Sequence, residues 1–367
     1  MLTGAVGALG GAALGVGATL AAEQSDDSAA ATPGTSADRV PVYGATQAGI
    51  TRPATPQPFG LIAVADLDNP RDLTFLEELG ETIAALVADP PRGLLPDGPV
   101  SLTVTVGLGP RVVAAHRPAW PGSQPLPRFA RDKTISTTAT DGDLLLTAYA
   151  TDPTVLPPVL DHLAQLIPGY RPRWSQRCFR GPGQGTVARN PLNFLDNIQV
   201  PRGAEELADN VWLGKPLAGG TICVLRRLRL DIDAFHALSV AGRERVIGRR
   251  LDGSPLSGGR PLSAVNLDAK TPTGEYLIPN DAHVRAAHPS FTGSHLMLRR
   301  GYGYDNGAGD AGLMFICFQR DLRSFVMTQR RLDQLDALMH YATPTASATF
   351  LILPGYTARL ALGGGLS

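Results

Sequence analysis

The sequence predicts an α+β protein of two domains, and three observations carry that prediction. The chain has 367 residues, long for one compact core and comfortable for two. Short apolar strands alternate with amphipathic helices, and the strands lie far apart along the chain. A strand–helix unit also recurs: GDLLLTAYATD and AGLMFICFQRD are each followed by a helical stretch, which reads as an internal duplication.

Residues 1–22, MLTGAVGALGGAALGVGATLAA, form an apolar stretch of small residues. Its length could span a bilayer, but its weak hydrophobicity suits an export signal better than a stable membrane anchor. No basic residue precedes it, so the expected start of the natural chain lies upstream of Met1. Residues 23–57 are rich in Ser, Asp, Ala, Thr and Pro and read as a linker or a surface arm. The first domain is expected over 58–205. It opens with the strand FGLIAVADL (59–67), followed by a helix within 69–89 that spaces Leu76, Leu79, Ile83 and Leu86 along one face. Residues 100–109 and 143–152 read as strands, 153–166 as a helix, and Trp174 to Phe179 as a further strand. The second domain, 206–367, repeats the pattern with strands at 220–231 and 312–321 and helices at 232–250 and 322–342.

The balance of 43% hydrophobic and 18% charged residues with zero formal net charge gives no argument for nucleic acid or an anionic membrane as a partner. The basic run RRLRL (226–230) reads as a strand with one solvated face. Three cysteines, Cys178, Cys223 and Cys317, without a close pair argue against a disulfide framework and against a zinc site. GPGQG (181–185) lacks the ending of a phosphate-binding loop and reads as a plain loop.

Chemistry concentrates in residues 281–319, DAHVRAAHPSFTGSHLMLRRGYGYDNGAGDAGLMFICFQ. His283 begins it, with His288 and His295 as competing histidines, and the pair Arg299 and Arg300 follows. Further back, in RNPLNFLDNIQVP, Asp196 is the only ionisable side chain between Arg189 and Arg202. Leu313 and Phe315 lie two apart on one strand and share a face.

The ordered motifs DAHVR, LMLRRGYGYD and DAGLMFICFQRD, with WLGKPLAGGTICVLRRLRLDIDAFHALSVAGRERVIGRRLDGSPLSGG, resemble the dye-decolourising haem peroxidases, in their secreted bacterial branch. The resemblance runs from about Gln57 to the C-terminus. It implies two ferredoxin-like domains with antiparallel sheets, one haem b per chain held mainly by the second, and export by a twin-arginine signal. It implies His283 as the proximal iron ligand, supported by a carboxylate for which Asp310 is the candidate. Arg299 is implied on the distal side, to hold developing negative charge or a haem propionate, with Arg300 turned elsewhere. Asp196 is implied as the proton carrier. The family pattern Gly-x-x-Asp-Gly here reads Asn193-Phe194-Leu195-Asp196-Asn197. Asparagine tolerates the left-handed region, so the turn can persist, with the asparagine side chains finding room beside the haem. Leu313 and Phe315 are implied as distal wall. Hydrogen peroxide and an organic electron donor (a dye, a phenolic or a small molecule) are the implied partners. Tyr302, Tyr304, Trp174 and Trp212 are candidate electron-transfer stations. A haem-handling protein with weakened peroxide chemistry and a specialised small-molecule oxidase remain alternatives, and homo-oligomer formation is left open.

Overall fold

The computed structural model describes residues 39–365, so the export-signal reading of 1–22 lies outside the described residues. A first repeat comprises β1 (Phe59–Leu67), α1 (Phe75–Ala88), β2 (Thr103–Leu108), α2 (Pro110–His116), β3 (Leu144–Ala150), α3 (Leu156–Ala164) and β4 (Tyr170–Phe179). A small sheet follows, made of β5 (Gly183–Gln184), β6 (Val187–Arg189) and β7 (Leu195–Asp196), and then α4 (Gly203–Asn210). The second repeat opens with β8 (Thr221–Leu230), α5 (Ile232–Ala237) and α6 (Val240–Ile247). It continues through α7 (His283–Ala286), α8 (Pro289–Thr292), β9 (Leu298–Arg299) and β10 (Tyr302–Asp305). It closes with β11 (Ala311–Gln319), α9 (Leu322–Leu335) and β12 (Ala342–Ile352).

The strand orders β4-β1-β3-β2 and β12-β8-β11-β10 are the same ferredoxin-like arrangement, used once in each repeat. All pairings within the main sheet are antiparallel. The repeats meet edge to edge, Leu108 opposite Leu351 at one seam and Gly303 opposite Phe179 at the other, which closes the sheet into a barrel.

Alternation along the strands sorts side chains into layers. Ile62, Val64, Leu145, Leu225, Ile316 and Phe350, drawn from both repeats, fill one shared barrel core. The other face of the first repeat packs against α1 and α3 through residues such as Leu79, Ile83, Val106 and Leu160. The other face of the second repeat carries Val224, Phe315 and Cys317 and meets Phe325 of α9. The repeats thus share a core as well as a sheet, whereas length had suggested separate ones.

Four expectations are corrected. Residues 39–57 are not a loose linker or a surface arm. Ile50 joins the barrel core, and the Gln47 carboxamide bonds Val106 N, Val106 O and Leu353 O, bridging the β2–β12 seam. The helix expected over 232–250 is two helices, because Ser239 caps a new one by accepting from Gly242 N at 3.1 Å. The helix expected to reach 342 ends at Leu335, and β12 begins at Ala342. The run RRLRL has no simple solvated face. Arg226 is 1% exposed and paired with Asp132 at 2.6 Å, Arg227 pairs with Asp310, and only Arg229 is exposed.

Candidate active site

A cavity holding about 1580 Å³ of empty space, part of it open to solvent, lies against the helix-covered face of the second repeat. Leu228, Leu313, Phe315, Phe325 and Leu332 give it apolar walls. His283, Asp196 and Arg299 all line it.

His283 opens the short helix α7, whose Ala282 and Ala286 are fully buried and fix the turn to the body of the protein. Gly248 ends α6 at φ +91°, and any side chain there would collide with Val284, so only glycine lets the two segments touch. The Asp336 carboxylate accepts from His283 Nδ1 at 2.7 Å, which leaves Nε2 without a protein partner. The same carboxylate caps the turn after α9 by accepting from Leu338 N at 2.9 Å. Burial by itself would depress the His283 pKa. The charge and hydrogen bond of Asp336, with help from Asp196 and against Arg299, outweigh burial and raise it. His288 is engaged otherwise: its Nδ1 accepts from Ser290 N as the cap of α8, and burial lowers its pKa. His295 borders the same cavity but is exposed.

Asp310, the expected supporting carboxylate, does not take that role. It lies with Arg227 and Asn306, on the barrel side of the sheet. Burial would raise its pKa, but Asn306 and Arg227 hold it below the usual carboxylate range. The supporting carboxylate is Asp336, 53 residues from His283 in sequence.

Asp196 ends β7 after a turn in which Asn190 Oδ1 accepts from Leu192 N and Phe194 N. Asn193 and Asn197 sit at φ +68° and +60°, in the left-handed region that glycine favours. Phe194 is 1% exposed and anchors the turn edge-on to Phe235 at 6.1 Å. Asn197 N donates to Asp196 Oδ1 at 2.6 Å. The Asn197 side chain is buried against the cavity, and its Oδ1 has no hydrogen-bond partner. Leu195 also borders the cavity, but Asn193, expected to touch the cofactor, is exposed and does not. Its φ turns the side chain away, and its part is played by the backbone alone.

Arg299 forms no ion pair or side-chain hydrogen bond among the described residues. Arg300, on the opposite face, is 2% exposed and donates to Ile50 O at 2.6 Å. Sequence reasoning missed two further cations of the cavity, Arg226 and Arg249. Tyr302 and Tyr304 are each 1% exposed, with burial pushing their pKa values up to about 12, so neither can meet a bulky donor directly. Trp174 and Trp212 are partly buried against the barrel core.

Sequence profiles of the Dyp-type peroxidase N-terminal and C-terminal domains match residues 47–180 and 187–357. The chain belongs to the Dyp-type peroxidase family. A dye-decolorizing peroxidase of Thermobifida fusca is 37% identical over 287 residues, covering 71% of this chain and 65% of that protein. A deferrochelatase of Yersinia pestis is 31% identical over 362 residues, covering 86% of this chain and 81% of that protein. Among solved structures, a DyP-type peroxidase from Cellulomonas bogoriensis superposes with a TM-score of 0.79 at 33% identity, covering 89% of this chain and 98% of that one. Ferric DtpA from Streptomyces lividans gives 0.81 at 31% identity, covering 89% and 96%. By class, a Dyp-type chain is a haem-dependent oxidoreductase.

The residues present fit haem on their own chemistry. An imidazole nitrogen without a protein partner, backed by a carboxylate on the other ring nitrogen, is the donor set of a haem-iron ligand. The walls around it are apolar, as a macrocycle requires, and Arg299 offers an uncommitted cation to an anionic ligand.

Proposed function

We propose that this chain is a peroxidase that reduces hydrogen peroxide and oxidises organic donors, with haem held by His283. The observation that carries this is one cavity bringing together His283 Nε2, the Asp196 carboxylate and the Arg299 guanidinium. When bound, haem supplies the redox iron.

His283 would hold the iron through Nε2, and Asp336 orients the ring and raises its basicity. Asp196 moves a proton from one peroxide oxygen to the other, directly or through one water. The Asn197 N–H bond keeps its carboxylate facing one way during the transfer. Arg299 holds the negative charge that grows on peroxide, and with no partner in the protein it gives up no ion pair to do so. Leu313 and Phe315 would narrow the space left for peroxide beside a bound haem, so a dye-sized donor would deliver electrons from the protein surface.

Stopped-flow absorbance of the haem-loaded protein with one equivalent of peroxide tests the reading. A rapid Soret change, slowed in Asp196→Ala and Arg299→Ala, is expected. A ferric spectrum unchanged over minutes would favour a second reading, haem handling. Two observations support that alternative: the buried Asn197 carboxamide beside Asp196, and the similarity to proteins named deferrochelatase. Residues 1–22 support export to an extracytoplasmic compartment, which fractionation of the producing cells would test.

A further inference from the structure

A second cavity, with about 1000 Å³ of empty space partly open to solvent, lies outside the haem site. It sits where α2, the segment 123–143 and the strands β1 and β4 meet, with Pro110, Ala114 and Pro125 as its apolar wall. Six charged side chains line it, and four of them are already paired. Arg111 pairs with Asp143, and Arg173 pairs with Asp66 at 2.8 Å. The remaining two are Arg128 and Asp141. Among the described residues, the Arg128 guanidinium has neither an ion pair nor a hydrogen bond, and the Asp141 carboxylate accepts no hydrogen bond. Asp141 Oδ1 is buried, and burial raises the pKa of the group against the pull of Arg173. The Ser123 hydroxyl, on a buried residue of the same lining, is likewise without a partner. A buried acceptor left unpaired costs stability, and a ligand that brings a donor removes that cost.

Single residues join this cavity to the haem site. Phe129, next to Arg128, packs edge-on to Phe325 at 5.8 Å, and Phe325 lines the haem cavity. Asp141 N donates to Ser347 O at 2.9 Å, and Ser347 Oγ accepts from Arg226 Nη1 at 2.9 Å. Arg226 also lines the haem cavity. A free cation and a free carboxylate beside an apolar wall suit a small molecule that carries an anionic group and a hydrogen-bond donor. We propose that this second cavity binds the organic electron donor, a small phenolic acid whose carboxylate pairs with Arg128 and whose hydroxyl donates to Asp141. The choice of donor rests on the peroxidase reading above. On oxidation the phenol O–H bond breaks, its proton passes to Asp141, and its electron crosses to the peroxide-oxidised cofactor. Two donor molecules together supply the two protons and two electrons that convert one peroxide to two waters.

The test titrates haem-loaded protein with 4-hydroxy-3-methoxybenzoate by calorimetry, for wild type, Arg128→Gln and Asp141→Asn. Two controls each lack one recognised group: 3-methoxybenzoate has no hydroxyl, and 2-methoxyphenol has no carboxylate. Wild type is expected to bind the phenolic acid without moving the ferric Soret band, because the ligand stays out of the haem cavity. R128Q should weaken the phenolic acid and 3-methoxybenzoate alike by about fivefold, the scale of a partly exposed ion pair, and leave 2-methoxyphenol unchanged. D141N should weaken the phenolic acid and 2-methoxyphenol by a similar factor and leave 3-methoxybenzoate no weaker. In peroxide-driven oxidation of the phenolic acid, KM should rise by the same factors. Equal affinity in all three proteins would overturn the proposal, and so would binding that shifts the Soret band. Arg128 is exposed, so R128Q keeps the fold; if D141N does not fold, R128Q carries the comparison, and its failure to separate the phenolic acid from 2-methoxyphenol refutes the proposal. Peroxide-driven oxidation that ignores both substitutions keeps the peroxidase reading and overturns this site. Binding with the expected pattern but no oxidation keeps the site and sinks the peroxidase reading instead.

Discussion

Replacing Asn193 by alanine isolates the backbone cost of the turn that presents Asp196. Asn193 sits at φ +68°, its side chain is exposed, and that side chain makes no hydrogen bond. The turn's bonds here run through its main chain: N donates to Asn190 O at 2.9 Å, and O accepts from Arg189 Nη1 at 2.6 Å. Alanine keeps both and loses only the tolerance of asparagine for left-handed backbone. That conformation costs an ordinary L-residue roughly 1–2 kcal/mol, most of which asparagine avoids, so N193A should lose about 1 kcal/mol. A loss of about 1 kcal/mol is roughly fivefold in the unfolding equilibrium. Glycine removes the strain but adds freedom to the unfolded chain, which offsets the gain by about 0.5–1 kcal/mol, and N193G should stay close to wild type. Urea unfolding of the three apo proteins at equal slope measures this. An alanine variant as stable as wild type would refute the argument that backbone conformation selects asparagine here.

Asp336→Asn should weaken haem binding or activity by about 10–100-fold and move the iron potential positive, because His283 loses its anionic partner; a redox titration showing no shift would contradict this. His283→Ala should abolish the histidine-ligated ferric spectrum, whereas His288→Ala and His295→Ala should keep it, and optical titration with haem separates the three. Asp141 has a buried Oδ1 without a partner, and burial raises its pKa against the pull of Arg173. The ionised form is therefore penalised in the fold above the ordinary carboxylate range, and the penalty disappears as acid protonates the group. Asp141→Asn should raise the melting temperature near neutrality and converge with wild type in acid. Asparagine also suits the φ of +56° at that position.

The strands and helices of each repeat are legible because their periodicity is local: β1, β3 and β8 fall within the stretches expected from apolar runs, and β11 begins one residue before its expected start. β12 is not, because ATPTASATFLI places Pro344 and small residues where a strand signal would need bulk, and its register shifts beside that proline. The alternation of Thr343, Thr345, Ser347 and Thr349 was the available signal. The closed barrel was hidden for a different reason, since its seam pairs Leu108 with Leu351 and no window contains both. The site divides the same way. His283, Arg299 and Asp196 stand in short motifs. Asp336 reaches His283 only because α9 folds back beside α7, and nothing near DAHVR announces it. Gln47 and Ile50 were hidden by composition, because a stretch rich in small and polar residues gives no hint that its few larger side chains are buried.

The barrel and the cavity occupy opposite faces of the same strands, so the work of folding and the work of holding a cofactor fall to different side chains. Ile316 and Met314 point into the shared core, while Leu313 and Phe315, their neighbours on β11, point toward the cavity. A substitution in the cavity wall can therefore leave the barrel's packing intact, and one in the barrel can leave the lining of the cavity unchanged.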